Sequence, residues 1–343
     1  MKEHYQIWLK AIEESNTMSE NDKNAFSKVV IALSKSGAPV IFNVKHLALL
    51  IGVDFRALKR MLYVRDRFYR SFSIKKRNGG ERLIEAPYPS LKMVQRWILD
   101  NILVPSAFVH PCSVGFISKK TITDNARPHL GHSVLLKMDI KDFFPSVTEE
   151  LVRSYFSNLG YRSDLASTLA YLCCKDGRLP QGSPTSPMLS NVLFYEMDNQ
   201  LSKIAFWDGL SYTRYADDLA FSGDRIRISI IDNVAAIVLK YGLRINNEKT
   251  RRSGSTSRKI ITGVSVSSGE KLTIPREVKR VIRQKVFYVL KYGLTDHLKH
   301  IQSRDLLAGY RLLGLLAYWH SVEPENKYVL DSSKALGEML RGE

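Results

Sequence analysis

The sequence predicts an α+β fold whose middle portion is an antiparallel sheet and whose two ends are helical. Three short segments in the middle have the length and apolar composition of buried strands: Val134–Ile140, Ser211–Tyr215 and Leu219–Ser222. The chain before residue 70 and after Pro275 instead shows helical spacing and capping residues. The fold class follows from where the strand-like and helix-like patterns lie along the chain.

The N-terminal 70 residues are a predicted helical extension. Asn43 and Asp54 are good N-caps for two short helices, 44–51 and 55–63, which Gly52 separates. Polar side chains at a helix start accept hydrogen bonds from backbone N–H groups that have no partner within the helix. These caps therefore predict where both helices begin.

A β-hairpin is predicted over residues 72–86. Phe72 and Ile74 alternate with polar residues, and Asn78-Gly79-Gly80 supplies the positive-φ turn. The other predicted elements, in chain order, are helices from Ser90 to Leu103, from Ser146 or Thr148 to before Gly160, from a Ser163 cap to Cys174, from Ser186-Pro187 to about Ile204 and over 228–241, then small strands within 260–274 and a helical segment from Pro275.

Composition restricts the possible functions. The 343 residues carry a formal charge of +17, so we expect a polyanionic partner. Three cysteines and no CxxC pair exclude a disulfide scaffold and a cysteine zinc site, and they fit a reducing compartment. The N-terminus lacks a signal-peptide pattern, and no run of about 20 apolar residues could cross a bilayer. We therefore expect a cytoplasmic protein that does not bind a membrane.

The positive charge is concentrated in three clusters. Residues 56–82 hold ten Lys/Arg and two acids, residues 249–260 hold five Lys/Arg and no acid, and residues 276–311 hold nine Lys/Arg and three acids. Tyrosine and phenylalanine are interleaved with the basic residues in the first and third clusters. One such cluster could be a solvated helix face. Three of them, with aromatic rings, indicate binding to the phosphates and bases of a nucleic acid.

Three aspartates occupy unusual positions relative to the predicted strands. Asp139 ends the first strand, and Asp217 and Asp218 lie between the second and third. Neighbouring side chains of a continuous strand point to opposite faces, so adjacent carboxylates serve one site only where the chain turns over. An isolated Asp-Asp pair is more often a plain turn. With Asp139, however, the three acids could hold two Mg²⁺ about 3.5–4 Å apart, which is an arrangement that catalyses in-line nucleotidyl transfer.

The residues around these aspartates resemble the palm motifs of reverse transcriptases. The matching segments are Tyr215-Ala216-Asp217-Asp218, Leu179-Pro180-Gln181-Gly182-Ser183-Pro184, and Asp139 with Phe143-Phe144-Pro145-Ser146. Their order and spacing match that family across roughly residues 70–265. The resemblance implies a right-hand polymerase fold, with fingers, a palm (an antiparallel sheet with helices on one face) and a helical thumb. It also implies RNA-templated DNA synthesis.

The resemblance implies a catalytic role for four residues. Asp139, Asp217 and Asp218 become the ligands of two Mg²⁺ ions. Lys249 matches the palm lysine that protonates the pyrophosphate leaving group, for which an ammonium is chemically suited. The other interpretation of Lys249 is a contact to the nucleic-acid backbone.

Five further residues are expected to bind the dNTP substrate. Phe144 falls at the position whose bulk lies under the ribose 2′ carbon, so that a ribonucleotide would clash. Gln181 and Gly182 match the motif that lines the nucleotide and template, and glycine permits close approach there. Lys76 and Arg82, on the fingers hairpin, correspond to the residues that grip the triphosphate.

Two more segments resemble bacterial retron reverse transcriptases in particular. Asn125-Ala126-Arg127-Pro128-His129 fits their NAxxH element, in which we expect Asn125 and His129 to contact nucleic acid, and Ile261-Thr262-Gly263 lies where they carry VTG. This subgroup implies a cognate structured noncoding RNA and priming from an RNA 2′-hydroxyl. The product is a branched RNA–DNA molecule, msDNA. The subgroup also implies anti-phage defence with a separate effector protein.

The segment after Pro275 has the physical features of a nucleic-acid-binding thumb. Arg276, Lys279, Arg280 and Arg283 recur at three- and four-residue spacing along one predicted helix face. The predicted domains are an N-terminal helical extension (1–70), fingers (71–135, with parts of 147–185), palm (136–260), and a palm–thumb connection with the thumb (261–343).

Three alternative functions stay open from the sequence. A reverse transcriptase that serves an intron, a diversity-generating element or abortive infection would use the same chemistry without the retron RNA. An RNA-templated RNA polymerase would require another role for Phe144. A non-catalytic RNA-binding scaffold would need the basic clusters but would have no use for the three carboxylates.

Overall fold

A four-stranded antiparallel sheet forms the centre of the protein. The computed structural model describes residues 3–75 and 79–342 of the chain, and the strands of the central sheet lie in the order β4-β5-β3-β6. Two further antiparallel pairs, β1–β2 and β7–β8, lie outside it. The strands are β1 (Tyr69–Lys75), β2 (Glu81–Pro87), β3 (Val134–Asp139), β4 (Ser211–Tyr215), β5 (Asp218–Gly223), β6 (Arg251–Ser253), β7 (Ile260–Ile261) and β8 (Val264–Ser265).

Helices lie before, between and after the strands of this sheet in the chain. This arrangement confirms the predicted α+β class. None of the helices in the described residues is long and apolar enough to cross a bilayer. The helices are α1 (Glu3–Glu13), α2 (Glu20–Ser36), α3 (Val44–Ile51), α4 (Phe55–Tyr63), α5 (Pro89–Ile98), α6 (Val104–Ser106), α7 (Ile122–Ala126), α8 (Glu149–Leu159), α9 (Ser163–Cys173), α10 (Ser186–Leu193), α11 (Tyr195–Trp207), α12 (Ser229–Lys240), α13 (Arg276–Tyr292), α14 (Leu294–His300), α15 (Ala308–Val322) and α16 (Lys327–Arg341).

The N-terminal caps form as predicted. The Asn43 side chain accepts a hydrogen bond from the backbone N–H of His46 at the start of α3. Asp54 accepts from the backbone N–H groups of Arg56 and Ala57 at the start of α4. Capping depends only on residues within one turn of the helix start, and this is why the sequence alone could predict it.

Two helix predictions were wrong. Ser163 is the first residue of α9 rather than its cap, which is Arg162. The helix expected from Ser186 to about Ile204 is two helices, α10 and α11, which meet at Phe194. The Phe194 side chain is buried in the core, with its ring centroid 5.6 Å from that of Phe143. Local helical pattern could not reveal a break that is coupled to this distant packing.

The central sheet separates two hydrophobic cores. Leu136 of β3 pairs with Phe221 of β5, and both face the larger core, which also contains the N-terminal helices and α8 to α12. Leu135 and Ala220 point to the opposite face and join the smaller core with β7, β8, α13, α15 and α16. Side chains alternate between faces along each strand, so the two cores share one sheet.

Candidate active site

A tight turn joins β4 to β5 and carries two aspartates. Tyr215 pairs with Asp218, so Ala216 and Asp217 form a two-residue hairpin loop. Ala216 has φ 56°, in the left-handed region that such loops commonly require. A residue with a β-carbon adopts that conformation at a cost on the order of 1 kcal/mol. The turn therefore reverses the chain between the two carboxylates, as the sequence predicted.

The third aspartate lies directly across the sheet. Asp139 is the last residue of β3 and pairs with Asp218 of β5. The backbone N–H of Ile140 donates to the carbonyl of Asp217 at 2.9 Å, which ties the end of β3 to the turn. Residues paired across antiparallel strands have their β-carbons about 4.5–5.5 Å apart. The register thus brings Asp139, Asp217 and Asp218 together at one end of the sheet.

The carboxylates repel one another in a partly buried environment. Burial, together with the charges of Asp218 and Asp139, raises the pKa of Asp217 to about 6. Burial also raises the pKa of Asp218, to which the Asp139 charge contributes, while Lys137 and Lys249 oppose the shift. The ionised forms are therefore less stable than in water, and any cation placed among them would relieve the repulsion.

Lys249 supplies one such cation. Its Nζ lies 2.8 Å from both Oδ1 and Oδ2 of Asp139. That hydrogen bond raises the pKa of Lys249, so the amine stays protonated. The lysine reaches Asp139 because the backbone N–H of Asn246 donates to the Asp139 carbonyl at 2.7 Å. The structure thus places the Lys249 ammonium on Asp139, while its predicted role toward the pyrophosphate stays a prediction.

The donor chemistry at this end of the sheet fits divalent metal ions. Carboxylate oxygens are the ligands that Mg²⁺ prefers. The raised pKa values of Asp217 and Asp218 show that this end of the sheet favours a strong counter-charge. Within residues 3–75 and 79–342, however, no three His, Cys, Asp or Glu side chains are arranged closely enough to hold a metal as they stand. Both oxygens of Asp139 face the Lys249 ammonium instead. A metal ion at Asp139 would therefore compete with the Lys249 ammonium for this carboxylate.

Phe144 lies beside a cavity of about 320 Å³ that also borders the Gln181-Gly182 loop. The Asp142 backbone, at φ 47°, turns the chain after β3 and leads to this half-buried phenylalanine. The structure thus brings together Phe144 and Gly182, both of which the sequence analysis assigned to dNTP binding. The cavity is lined by Lys92, Arg96, Phe116, Phe144, Gly182, Ser183, Pro184, Ser186 and Pro187.

Lys92 and Arg96 are functional candidates that the sequence reasoning missed. Both belong to α5, and they line the Phe144 cavity as two cations one helical turn apart. The available signal was their spacing of four residues on a helix that follows the β1–β2 hairpin. Two positive charges beside the cavity suit a phosphate-bearing ligand.

Gly182 is packed against the β1–β2 hairpin. The Gln181 carbonyl accepts a hydrogen bond from the backbone N–H of Glu85 at 2.9 Å. A β-carbon on Gly182, whose φ is 144°, would lie only 2.8 Å from the Glu85 carbonyl oxygen. The close approach expected of this glycine is therefore made to strand β2. It fixes the loop on the hairpin that carries Arg82.

Arg82 is exposed on β2, opposite Ile74 of β1. The position leaves its guanidinium free to turn toward a ligand in front of the hairpin. Its predicted companion, Lys76, lies outside the described residues. Of the two residues predicted to grip the triphosphate, the structure therefore describes only Arg82.

A buried ion pair supports the backbone of the Ala216-Asp217 turn. Arg214 and Asp198 are both fully buried and joined by three hydrogen bonds between 2.6 and 3.1 Å. Arg214 Nη1 also donates to the Ala216 carbonyl within the turn, at 3.3 Å, and to Asn191 Oδ1 at 3.2 Å. The Tyr212 hydroxyl donates to Asp198 at 2.8 Å. This Arg214–Asp198 network holds the turn by its backbone.

A neighbouring segment completes the support. The backbone N–H of Val114 donates to the Arg214 carbonyl, and the backbone N–H of Arg214 donates to the Cys112 carbonyl. A β-carbon on Gly115 would lie 2.9 Å from the Ala216 nitrogen, so only glycine fits against the turn. Sequence reasoning missed these residues. The one signal was a charged residue, Arg214, in the middle of a predicted buried strand.

Asn125 and His129, which the sequence analysis expected to contact nucleic acid, are buried in this structure, and that contact stays a prediction. Both are buried under the face of the sheet that carries the smaller core. His129 Nδ1 lies 2.7 Å from Ser222 Oγ, and its Nε2 lies 2.8 Å from Thr213 Oγ1. Burial lowers the pKa of His129 to about 3, so the ring is neutral. Both ring nitrogens are engaged, and none is left for a ligand.

The two retron-like segments contact each other. Asn125 Nδ2 donates to the hydroxyl of Thr262, at 3.4 Å. Thr262 lies in the turn between β7 and β8 with φ 45°. The NAxxH element therefore joins the central sheet to the β7–β8 pair, which leads to the C-terminal helices. This is a structural role that local sequence could not separate from a binding role.

The four basic residues predicted on the thumb helix belong to α13. They line an open cavity of about 860 Å³. Lys279 also pairs with Glu323 at 2.7 Å, and Arg283 lies over the rings of Trp319 and Tyr328. Because these two residues also pack against α15 and α16, they hold the helix while facing the cavity. The cavity is lined by Arg276, Lys279, Arg280, Arg283, Gln284, Phe287 and Tyr288.

Known proteins resemble this chain over most of its length. The family model described as reverse transcriptase (RNA-dependent DNA polymerase) matches residues 74–265. The retron Ec86 reverse transcriptase of Escherichia coli is 35% identical over 275 residues, which cover 79% of this chain and 85% of that protein. The retron Mx65 reverse transcriptase of Myxococcus xanthus is 36% identical over 322 residues, covering 85% and 71%. The retron Ec83 reverse transcriptase of Escherichia coli is 29% identical over 298 residues, covering 80% and 91%.

Proposed function

This chain belongs to the reverse transcriptase family and, within it, to the retron reverse transcriptases, and from that membership we propose that it makes msDNA. The chain is thus an RNA-directed DNA polymerase with the right-hand polymerase fold, and it acts on a nucleic-acid template and dNTPs. In the proposed reaction it binds a cognate structured noncoding RNA and starts DNA synthesis from a 2′-hydroxyl of that RNA. The branched product would serve anti-phage defence with a separate effector protein.

The pairing of Asp139 with Asp218, beside Asp217, is the observation that carries the proposed polymerase site. Reverse transcriptases use divalent metal ions, and we propose that these three carboxylates hold two Mg²⁺. When bound, the ions would supply activation of the attacking hydroxyl and neutralisation of the triphosphate. The chain itself contributes a rigid turn, which the Arg214–Asp198 network holds in place.

Lys249 is proposed to donate a proton to the leaving pyrophosphate. Its ammonium sits at the aspartates, and the hydrogen bond to Asp139 raises its pKa, so it enters the reaction protonated. The Lys249 ammonium, held at Asp139, would exchange this hydrogen bond for one to the triphosphate of the bound substrate. General acid catalysis by such a lysine contributes about 10²–10⁴-fold to the reaction rate. Arg82, with Lys76, is proposed to grip the triphosphate from the β1–β2 hairpin.

We propose that the cavity beside Phe144 receives the sugar and base of the incoming dNTP, with Gly182 in its wall and Gln181 next to it in the chain. Replacing Phe144 by Ala should open space for a ribose 2′-hydroxyl. We expect the preference for dNTPs over rNTPs to fall by about 10- to 200-fold, which is the usual range for a steric pocket. Steady-state incorporation of single dNTPs and rNTPs on one RNA template and primer measures this ratio.

Phe108→Ala is the matched control for the Phe144 test. Phe108 is 71% exposed, its ring contacts Tyr195, and it does not line the cavity. Its replacement should leave the ratio unchanged. If Phe144→Ala also keeps the wild-type ratio, Phe144 does not select the sugar.

We propose the same domain boundaries that the sequence predicted. The two hydrophobic cores support a division near residue 260, because the smaller core consists mainly of the β7–β8 pair and the C-terminal helices. We assign residues 1–70 to the N-terminal extension, 71–135 to the fingers, with parts of 147–185, 136–260 to the palm, and 261–343 to the connection and thumb. The cavity along α13 is the proposed site for the RNA. We also propose a cytoplasmic location, where cysteine thiols stay reduced.

Sequencing the nucleic acid that copurifies with the protein from its native host tests the retron function. We expect one RNA species joined through a 2′,5′ linkage to DNA that is complementary to part of the same RNA. A 2′,5′ debranching enzyme should separate the two strands, and omission of that enzyme is the control. Recovery of many unrelated RNAs without a branch would instead indicate a reverse transcriptase of the intron, diversity-generating or abortive-infection type.

A further inference from the structure

A further cavity lies where α13 meets α14. Its volume is about 340 Å³, within the range of small-ligand pockets, and it is lined by Tyr288, Tyr292, Asp296, His297 and His300. Gly293, at φ 83°, ends α13 and sets the direction of α14. Because of that turn, the two helices enclose the aromatic side chains from two sides. None of these five residues belongs to the polymerase site described above.

The aromatic rings in this pocket are nearly parallel. The ring of Tyr288 lies 5.8 Å from that of His297, with an angle of 5° between their planes. Tyr292 lies 6.1 Å from Tyr288 at 24°. The two tyrosines remain 38% and 53% exposed, so part of each side chain is accessible. A set of flat, accessible and similarly oriented rings suits a planar ligand that stacks on them.

The surroundings of the pocket are positively charged. Tyr288 lines both this pocket and the α13 cavity that holds Arg276, Lys279, Arg280 and Arg283. The ammonium of Lys291 lies 5.1 Å from the centre of the Tyr292 ring. A ligand that spans both cavities would therefore meet cations along one part and flat rings at the other. A single-stranded nucleic acid carries both phosphates and planar bases along its chain.

We propose that the Tyr288–Tyr292–His297 pocket holds one unpaired base of an RNA whose backbone lies along α13. The proposal rests on the proposed function in that the chain binds RNA. It adds a specific site where stacking, rather than charge, fixes the position of the RNA on the thumb. The polar groups of Asp296 and His300 also line the pocket and are available to the edges of the base.

The test compares binding of two fluorescein-labelled single-stranded RNAs by fluorescence anisotropy. One is a 12-nucleotide oligoadenosine, and the other is a 12-nucleotide RNA with abasic residues throughout. Tyr288→Ala with Tyr292→Ala should weaken binding of the oligoadenosine by about fivefold to a hundredfold, the range that stacking one base supplies. Binding of the abasic RNA should change less than twofold. The dependence of affinity on salt should also keep its slope, because no charge is removed.

Three further variants make the result specific. Tyr288→Phe with Tyr292→Phe should bind like wild type, because stacking needs the rings and not the hydroxyls. Arg280→Gln should reduce the salt slope and weaken both RNAs alike. Phe206→Ala with Trp207→Ala removes two rings that are 78% and 80% exposed on α11, and it should leave both affinities unchanged.

Two outcomes would overturn the pocket. One is an alanine double variant that binds oligoadenosine within twofold of wild type. The other is an equal loss for both RNAs, or a loss that the phenylalanine variant shares. Incorporation of dTTP on polyadenylate with an oligo(dT) primer is measured in the same preparations. If the wild-type protein incorporates dTTP but the alanine variant shows no base-dependent loss of binding, only the pocket is rejected. If the wild-type protein does not incorporate dTTP, the proposed polymerase site is rejected, and the binding data alone decide on the pocket.

Discussion

Replacing Asp217 and Asp218 by Asn should abolish dNTP incorporation while the protein stays folded. Asparagine keeps the shape of the side chain but removes the negative charge that would hold the metal ions. Loss of several kcal/mol of transition-state stabilisation corresponds to a decrease on the order of a thousandfold or more. Primer extension on an RNA template, at saturating dNTP and Mg²⁺, measures the remaining rate.

The stability of the same variant separates a catalytic effect from unfolding. Burial and the neighbouring acids raise the pKa of Asp217 to about 6, so its ionised form destabilises the folded state above that pH. Asparagine cannot ionise, and at pH 8 without metal we expect the variant to melt at or above the wild-type temperature. Asp232→Asn with Asp331→Asn is the matched control, because it removes two exposed charges away from the sheet. Retained synthesis in the folded Asp217/Asp218 variant would reject the proposed site.

Replacing Arg214 by Met should destabilise the protein by about 3–5 kcal/mol. The substitution leaves the Asp198 carboxylate fully buried without its cation, and breaking a buried pair in this way is costly. Urea unfolding followed by circular dichroism measures the free energy of unfolding. Tyr212→Phe removes only one hydrogen bond to Asp198 and should cost about 1 kcal/mol.

A double variant distinguishes support of the turn from general stability. Arg214→Met with Asp198→Met removes both charges, and replacing a buried pair by apolar side chains is often nearly neutral. We expect this variant to recover most of the lost stability. Its dNTP incorporation should stay low, because the Ala216 carbonyl no longer has its donor and the turn is less well fixed. A folded double variant with wild-type activity, or an Arg214→Met protein within about 1 kcal/mol of wild type, would contradict this role.

The residues that act through local geometry were predictable. The caps at Asn43 and Asp54 involve only their own turns of helix. The reversal at Ala216-Asp217 also follows from a short loop between two apolar strands. One edge strand of the central sheet, β6, was not predicted, because Arg251–Ser253 has neither apolar character nor alternation. It forms a strand because the free edge of β3 offers backbone hydrogen-bond partners at 135–137.

Residues that act through distant partners could not be assigned from their neighbours in the chain. His129 was expected at the nucleic acid, yet its two partners, Ser222 and Thr213, are 93 and 84 residues away and bury it. Lys92 and Arg96 gained a functional interpretation only when α5 was placed beside Phe144. The same holds for the aromatic pocket, because the turn at Gly293 decides that His297 faces Tyr288.

By itself, the sequence determined the α+β class, the basic character and the three aspartates with their turn, because each depends on composition or on contacts within a few residues. Only the tertiary structure decided that Lys249 holds Asp139 across 110 residues and that Arg214 supports the turn from a buried pair with Asp198. The physical reason is that charge–charge energies depend on separation and burial in space. Neither quantity is fixed until the strands have paired and the two cores have closed around the sheet.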